Sequence, residues 1–123
     1  MTTATLSAAK KRTEFVADKL GFTIQPDEVN QLLQRDFNCI VVDVREAEDF
    51  VKGHVPGAIN LPESNWRRIS GWRDEWTMIL YSHSQTCRLA VQAAVEFAMQ
   101  GCSVVEMEGG FMAWKENKLP VET

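Results

Sequence analysis

Nothing in this chain reads as a membrane span, a disulfide framework or a repeat. No apolar run approaches the ~20 residues that a spanning helix needs. The N-terminus, MTTATLSAAKKRTEF, has no apolar core ahead of a cleavage site, so no secretory signal is expected. Cysteine is scarce and odd in number: Cys39, Cys87 and Cys102 stand far apart. Three cysteines at wide spacing do not make a disulfide framework, and no CxxC or Cys/His cluster offers a zinc site. The expectation is a reduced, cytoplasmic chain with two buried thiols and a third whose role is open. There is no cationic excess either. The net charge of −4 disfavours nucleic acid, whose phosphates call for clustered cations.

What is present is ordinary globular material. The 123 residues, 45% hydrophobic and 24% charged, suffice for one domain with one real core. Residues 4–19 read as a helix with Phe15, Val16 and Leu20 near one face and Lys10, Lys11 and Arg12 on a solvated one. Gly21 ends it. The chain therefore divides into an N-terminal helical extension, 1–21, and a domain over 22–123. A short strand over Phe22–Gln25 leads to Pro26, which opens a helix carrying Asp27 and Glu28 in its first turn and Val29, Leu32 and Leu33 on its apolar stripe.

Cys39 to Val44 is a β-branched run typical of a strand buried on both faces. Glu46–Lys52 reads as a short helix, 53–57 as a loop and Ala58–Leu61 as a short strand. Met78–Tyr81 and Ser103–Met107 are further strands. Residues 87–100 predict a helix with Arg88, Gln92, Glu96 and Gln100 as a narrow polar stripe, hence a mostly buried one. Gly101 caps it, and Gly109-Gly110 opens a last helix through Phe111 and Trp114. Strands alternating with helices imply a mainly parallel five-stranded sheet covered on both faces. Ligands in such sheets sit beyond the carboxyl ends of strands.

That rule selects the loop Ser82-His83-Ser84-Gln85-Thr86-Cys87-Arg88. It joins a strand end to a helix start, where free N–H groups and the helix dipole suit an anion. The hydroxyls and Arg88 add donors, although the same residues also fit a plain capped loop with Ser84 or Thr86 as N-cap. Cys87 in a first helical turn would have a lowered thiol pKa; the bland alternative is a small apolar residue facing the sheet. A Ser82–His83 pair is disfavoured, since neighbours point apart and no acid with obvious reach orients the imidazole. Cys39 and Arg45 show the Cys-x5-Arg spacing of cysteine phosphatases, but the residues between them are a strand and not a phosphate cradle.

Val42-Asp43-Val44-Arg45-Glu46, Glu48-Asp49-Phe50 and the run from Gly53-His54-Val55-Pro56-Gly57 to Pro62 closely resemble the rhodanese homology domain. Glu108-Gly109-Gly110-Phe111 with Trp114 resembles that family's C-terminal signature. The resemblance covers about residues 25–120. It implies a single rhodanese-like domain with an added N-terminal helix, no cofactor and no metal. Asp43, Arg45 and His54 would be structural supports beneath the site. The family's catalytic cysteine, which carries sulfane sulfur as a persulfide, would follow Tyr81 directly; this chain has Ser82 there. A serine oxygen cannot hold sulfane sulfur as a persulfide.

The resemblance therefore implies a sulfurtransferase-family domain that binds a sulfur-containing anion or a persulfide-carrying protein. The alternative is an active thiosulfate or persulfide sulfurtransferase that uses Cys87, or a native cysteine at position 82. The loop is the short rhodanese type, which disfavours phosphoryl chemistry. A further alternative is a protein-interaction module built on Trp66, Trp72 and Trp76 with Arg67, Arg68 and Arg73.

Overall fold

The computed structural model describes residues 23–35, 38–67, 69 and 76–123. Its elements, in chain order, are β1 (Thr23–Ile24), α1 (Pro26–Gln34), β2 (Cys39–Asp43), α2 (Ala47–Lys52), β3 (Ile59–Asn60), β4 (Thr77–Tyr81), α3 (Leu89–Met99), β5 (Ser103–Met107) and α4 (Gly110–Glu116). The expected helix over 4–19 lies outside the described residues, as do Trp72, Arg68 and Arg73.

The strands form one sheet in the order β1-β5-β4-β2-β3. Every pairing in it is parallel, which tightens the expectation of a mainly parallel sheet. Strand alternation divides the core. Val41, Ile79, Tyr81, Val105 and Met107 face one cluster with Val29, Phe111 and Trp114 from α1 and α4. Val42, Met78 and Leu80 face the other, with Ala90, Ala93 and Phe97 of α3 and with Trp66.

Local chemistry accounts for the helix ends. Pro26 stands in the first turn of α1, where its missing N–H costs nothing, and Asp27 and Glu28 follow it. Gly109 and Gly110, at φ +80° and +64°, make the turn from β5 into α4 that a side chain would strain.

Three expectations need correction. The helix predicted over 87–100 begins at Leu89, with Arg88 as its N-cap, so Cys87 lies in the preceding loop and not in a first helical turn. That helix is not mostly buried. Only Ala90, Ala93 and Phe97 are buried, while Val91, Val95 and Met99 are 52%, 56% and 79% exposed. Its apolar composition is high, but the sheet covers a single face. None of the three thiols is fully buried, and none is in a disulfide. Trp66, by contrast, packs under α3: its Nε1 donates to Leu61 O at 2.7 Å, and its ring meets Phe97 edge-on at 6.2 Å.

Candidate functional site

The parallel register sets Asp43 beside Tyr81, so β2 and β4 end side by side. Two polar constructions grow from those two ends.

At the end of β2, Asp43 and Arg45 are buried and paired. Arg45 Nη2 donates to Asp43 Oδ2 at 2.7 Å and to Gly53 O at 2.6 Å, and Arg45 N donates to Asp43 Oδ1 at 2.9 Å. The guanidinium lies 4.3 Å from the Phe111 ring centre. Burial pulls its pKa down, but the hydrogen bond and charge of Asp43 outweigh this and raise it. Tyr81 OH donates to Asp43 Oδ2 at 2.6 Å and accepts from Val55 N at 3.1 Å. Burial first, then the Asp43 charge, raises the Tyr81 pKa and keeps it a neutral donor. Asn60 Nδ2 donates to the carbonyls of Asp43 and Arg45. His54 stacks on Phe50 at 3.7 Å, with Nδ1 2.7 Å from Phe50 O and Nε2 3.2 Å from Glu122 Oε1. These groups tie the 53–60 segment and the C-terminal chain beneath the sheet's carboxyl edge.

At the end of β4, Ser82 is buried and its Oγ stands 3.0 Å from Cys87 Sγ. The loop between them is held by α4. Phe111 N donates to Ser82 O at 2.8 Å, and Met112 N to His83 O at 2.9 Å. Gly110 approaches so closely that a Cβ there would stand 2.6 Å from Ser84 N and 2.8 Å from Ser82 O. Gln85 Oε1 accepts from Gly109 N at 2.7 Å. Cys87 N closes a turn onto Ser84 O at 3.2 Å, and the hydroxyls of Ser84 and Thr86 meet at 3.2 Å.

Burial pushes the Cys87 thiol up. Hydrogen bonds from Ser82 and from the N–H groups of Leu89 and His83 more than offset that, so its pKa is lowered. One helix-start amide, that of Leu89, and the His83 amide thus turn toward this sulfur. Glu106, half-buried on β5, opposes the lowering by its charge. Its own carboxyl is raised, by burial and then by Glu108.

The structure brings Ser82, Cys87 and the His83 amide together. It sends the His83 ring elsewhere: Nε2 lies 3.6 Å from Asp49 Oδ2, on α2. An acid does reach this histidine, contrary to the expectation that none would, but the ring is turned from Ser82. Gln85, Thr86 and Arg88 are exposed at the rim. Cys39 opens β2 and Arg45 lies just past its far end, so their spacing forms no cradle. Sequence reasoning missed Tyr81, Asn60, Gln85 as an anchor and Glu106. The roles of Tyr81, Asn60 and Glu106 arise from strand register and that of Gln85 from the loop's contact with the start of α4, which separate segments do not display.

A family model described as Rhodanese-like domain matches residues 25–117. The chain belongs to this family. The rhodanese-like domain is 34% identical over 100 residues to a Synechocystis protein, slr1261, covering 80% of this chain and 54% of that one. It thus spans about half the length of that relative. It is 32% identical over 92 residues to thiosulfate sulfurtransferase GlpE of Shewanella oneidensis, covering 72% of this chain and 89% of GlpE. The crystal structure of the BH2092 protein from Bacillus halodurans superposes with a TM-score of 0.77 at 28% identity, over 92% of this chain and 85% of that one. The rhodanese-like domain therefore has sulfurtransferase homologues. No helix among the described residues is long and apolar enough to cross a membrane.

Proposed function

We propose that this rhodanese-like domain binds a small sulfur-containing anion or a persulfide-carrying protein, in the cytoplasm, and does not carry sulfur on residue 82. One observation carries this reading. Ser82 sits buried where β4 ends, with its Oγ 3.0 Å from Cys87 Sγ, so an oxygen stands there. Oxygen cannot store sulfane sulfur as a persulfide, and among the described residues no base activates it, since the His83 ring faces Asp49. The kinship to GlpE supports sulfur as the ligand chemistry. The test is thiocyanate formation from thiosulfate and cyanide. The chain should be inert and Ser82→Cys should gain turnover; a folded Ser82→Cys chain that stays inert would argue that the cradle no longer accepts sulfur.

A second reading has its own observation: Cys87 Sγ lies 3.0 Å from Ser82 Oγ with a lowered thiol pKa. In this reading the Cys87 thiolate attacks the outer sulfur of thiosulfate. An S–S bond forms, sulfite leaves with the electron pair of the broken bond, and a thiophile such as cyanide later removes the sulfur and restores the thiolate. Mass spectrometry after thiosulfate treatment decides it: a gain of about 32 Da on Cys87 supports transfer through this residue, and an unmodified Cys87 rules it out.

A further inference from the structure

The topology brings one further charge to the corner of the sheet that holds Cys87. β4 and β5 are neighbours, and Leu80 pairs with Glu106. Leu80 faces α3. Val105 and Met107 face the opposite cluster, so alternation puts Glu106 on the α3 face, next to the carboxyl end of β5. The chain leaving β4 crosses onto that same face. Ser82 follows Leu80 by two residues, its Oγ meets Cys87 Sγ at 3.0 Å, and α3 starts at Leu89 and packs on β4 and β5. Glu106 and the Ser82–Cys87 pair therefore share one corner of the carboxyl edge.

The other charged groups around the loop are engaged elsewhere or stand at its rim. Arg45 is paired with Asp43. The His83 ring goes to Asp49 at 3.6 Å. Gln25 Nε2 donates to Glu108. Lys115 lies over the Phe111 ring, 5.2 Å from its centre. Arg88 is exposed at the N-cap of α3. Glu106 is half-buried, and among the described residues no cation pairs with it. Its charge pushes the Cys87 thiol pKa up, which is the sign a carboxylate near that sulfur gives.

We infer that Glu106 selects the sulfur compound the loop accepts, disfavouring the thiosulfate dianion and leaving an alkyl persulfide, R–S–SH, as the preferred ligand. The inference rests on the reading of the loop as a sulfur cradle. Thiosulfate brings two negative charges to the cradle, whereas an alkyl persulfide brings at most one at its terminal sulfur. A fixed carboxylate separates the two by repulsion.

Two readouts on the full chain test this. The first involves no sulfur transfer. Cys87 is alkylated with iodoacetate and with iodoacetamide, and the rates are read on its peptide by mass spectrometry. Both reagents depend alike on the thiolate fraction, so their ratio reports the charge around the sulfur. Glu106→Gln should raise the iodoacetate-to-iodoacetamide ratio about three- to tenfold, and added salt should shrink that gain. Glu116→Gln, exposed on the last turn of α4, should leave the ratio where it was. A ratio that Glu106→Gln does not move overturns the inference.

The second readout is the gain of about 32 Da by Ser82→Cys. Loading from an uncharged alkyl persulfide, that of N-acetylcysteamine, should outpace loading from thiosulfate. Adding Glu106→Gln should speed loading from thiosulfate and change loading from the persulfide far less. Persulfidated serum albumin in place of the small donor tells a protein-borne persulfide from a free one, and faster loading by either supports the assignment. A thiosulfate rate that Glu106→Gln leaves unchanged overturns the inference alone. A Ser82→Cys chain that loads from no donor, while the alkylation ratio still shifts, overturns the sulfur-cradle reading and the donor preference with it.

Discussion

The carboxyl ends of β2 and β4 lie side by side, yet they are built for opposite purposes. At β2, each carboxylate, guanidinium and phenol is spent on another group of the protein: Asp43 on Arg45 and Tyr81, Arg45 on Gly53, Tyr81 on Val55. Among the described residues these groups are turned on one another. At β4, a hydroxyl and two amides converge on one half-exposed sulfur, Cys87, within a loop whose outer side chains face solvent. A closed network fixes geometry, whereas a loop that gathers donors on one atom and opens to solvent is equipped for chemistry or binding. The difference separates residues that the family resemblance presents together.

Breaking the β2 network should have the largest effect. Arg45→Met leaves the Asp43 carboxylate buried without its cation and should cost about 3–5 kcal/mol, read as a lower midpoint in chemical denaturation. A near-neutral result would mean that the network is not closed as described. Gly110→Ala comes next. The left-handed conformation alone should cost about 1–3 kcal/mol, and the added Cβ should push the 82–84 backbone away from α4. Cys87 alkylation should then change together with stability, whereas Arg45→Met should act mainly on stability.

Ser82→Ala should leave the fold nearly unchanged and remove one donor from the sulfur. The midpoint of Cys87 alkylation against pH should move upward; a fixed midpoint would show that the hydroxyl does not stabilise the thiolate.

Glu106 gives the smallest effect. Its folded pKa is raised, so its contribution to stability is full below the unfolded carboxyl value and is lost as pH rises through the folded value. Glu106→Gln should flatten that decline in denaturation midpoints measured across the acidic range.

Much of this was legible in the residues. The runs around Val41 and Ile79 mark buried strands because β-branched and aliphatic continuity has few other uses, and Pro26 and Gly109-Gly110 punctuate the helices by backbone chemistry alone. The Ser82–Arg88 loop followed from strand-to-helix order. The start of α3 did not, because Arg88 falls in step with the polar stripe of Gln92, Glu96 and Gln100 while Cys87 N turns onto Ser84 O. Nor did the exposure of Val91 and Val95, since composition reports how apolar a helix is and not how many sides are covered. The Asp43–Tyr81–Val55 chain depends on the register of β2 against β4, and no single segment encodes that.

The central claim is that this loop remains a sulfur cradle from which the sulfur-bearing atom at position 82 is missing. Mass spectrometry of the chain and of Ser82→Cys after thiosulfate treatment tests it most directly. The account predicts no adduct at position 82 in the unsubstituted chain, and a gain of about 32 Da at that position in Ser82→Cys. A folded Ser82→Cys chain that takes up no sulfur would contradict it.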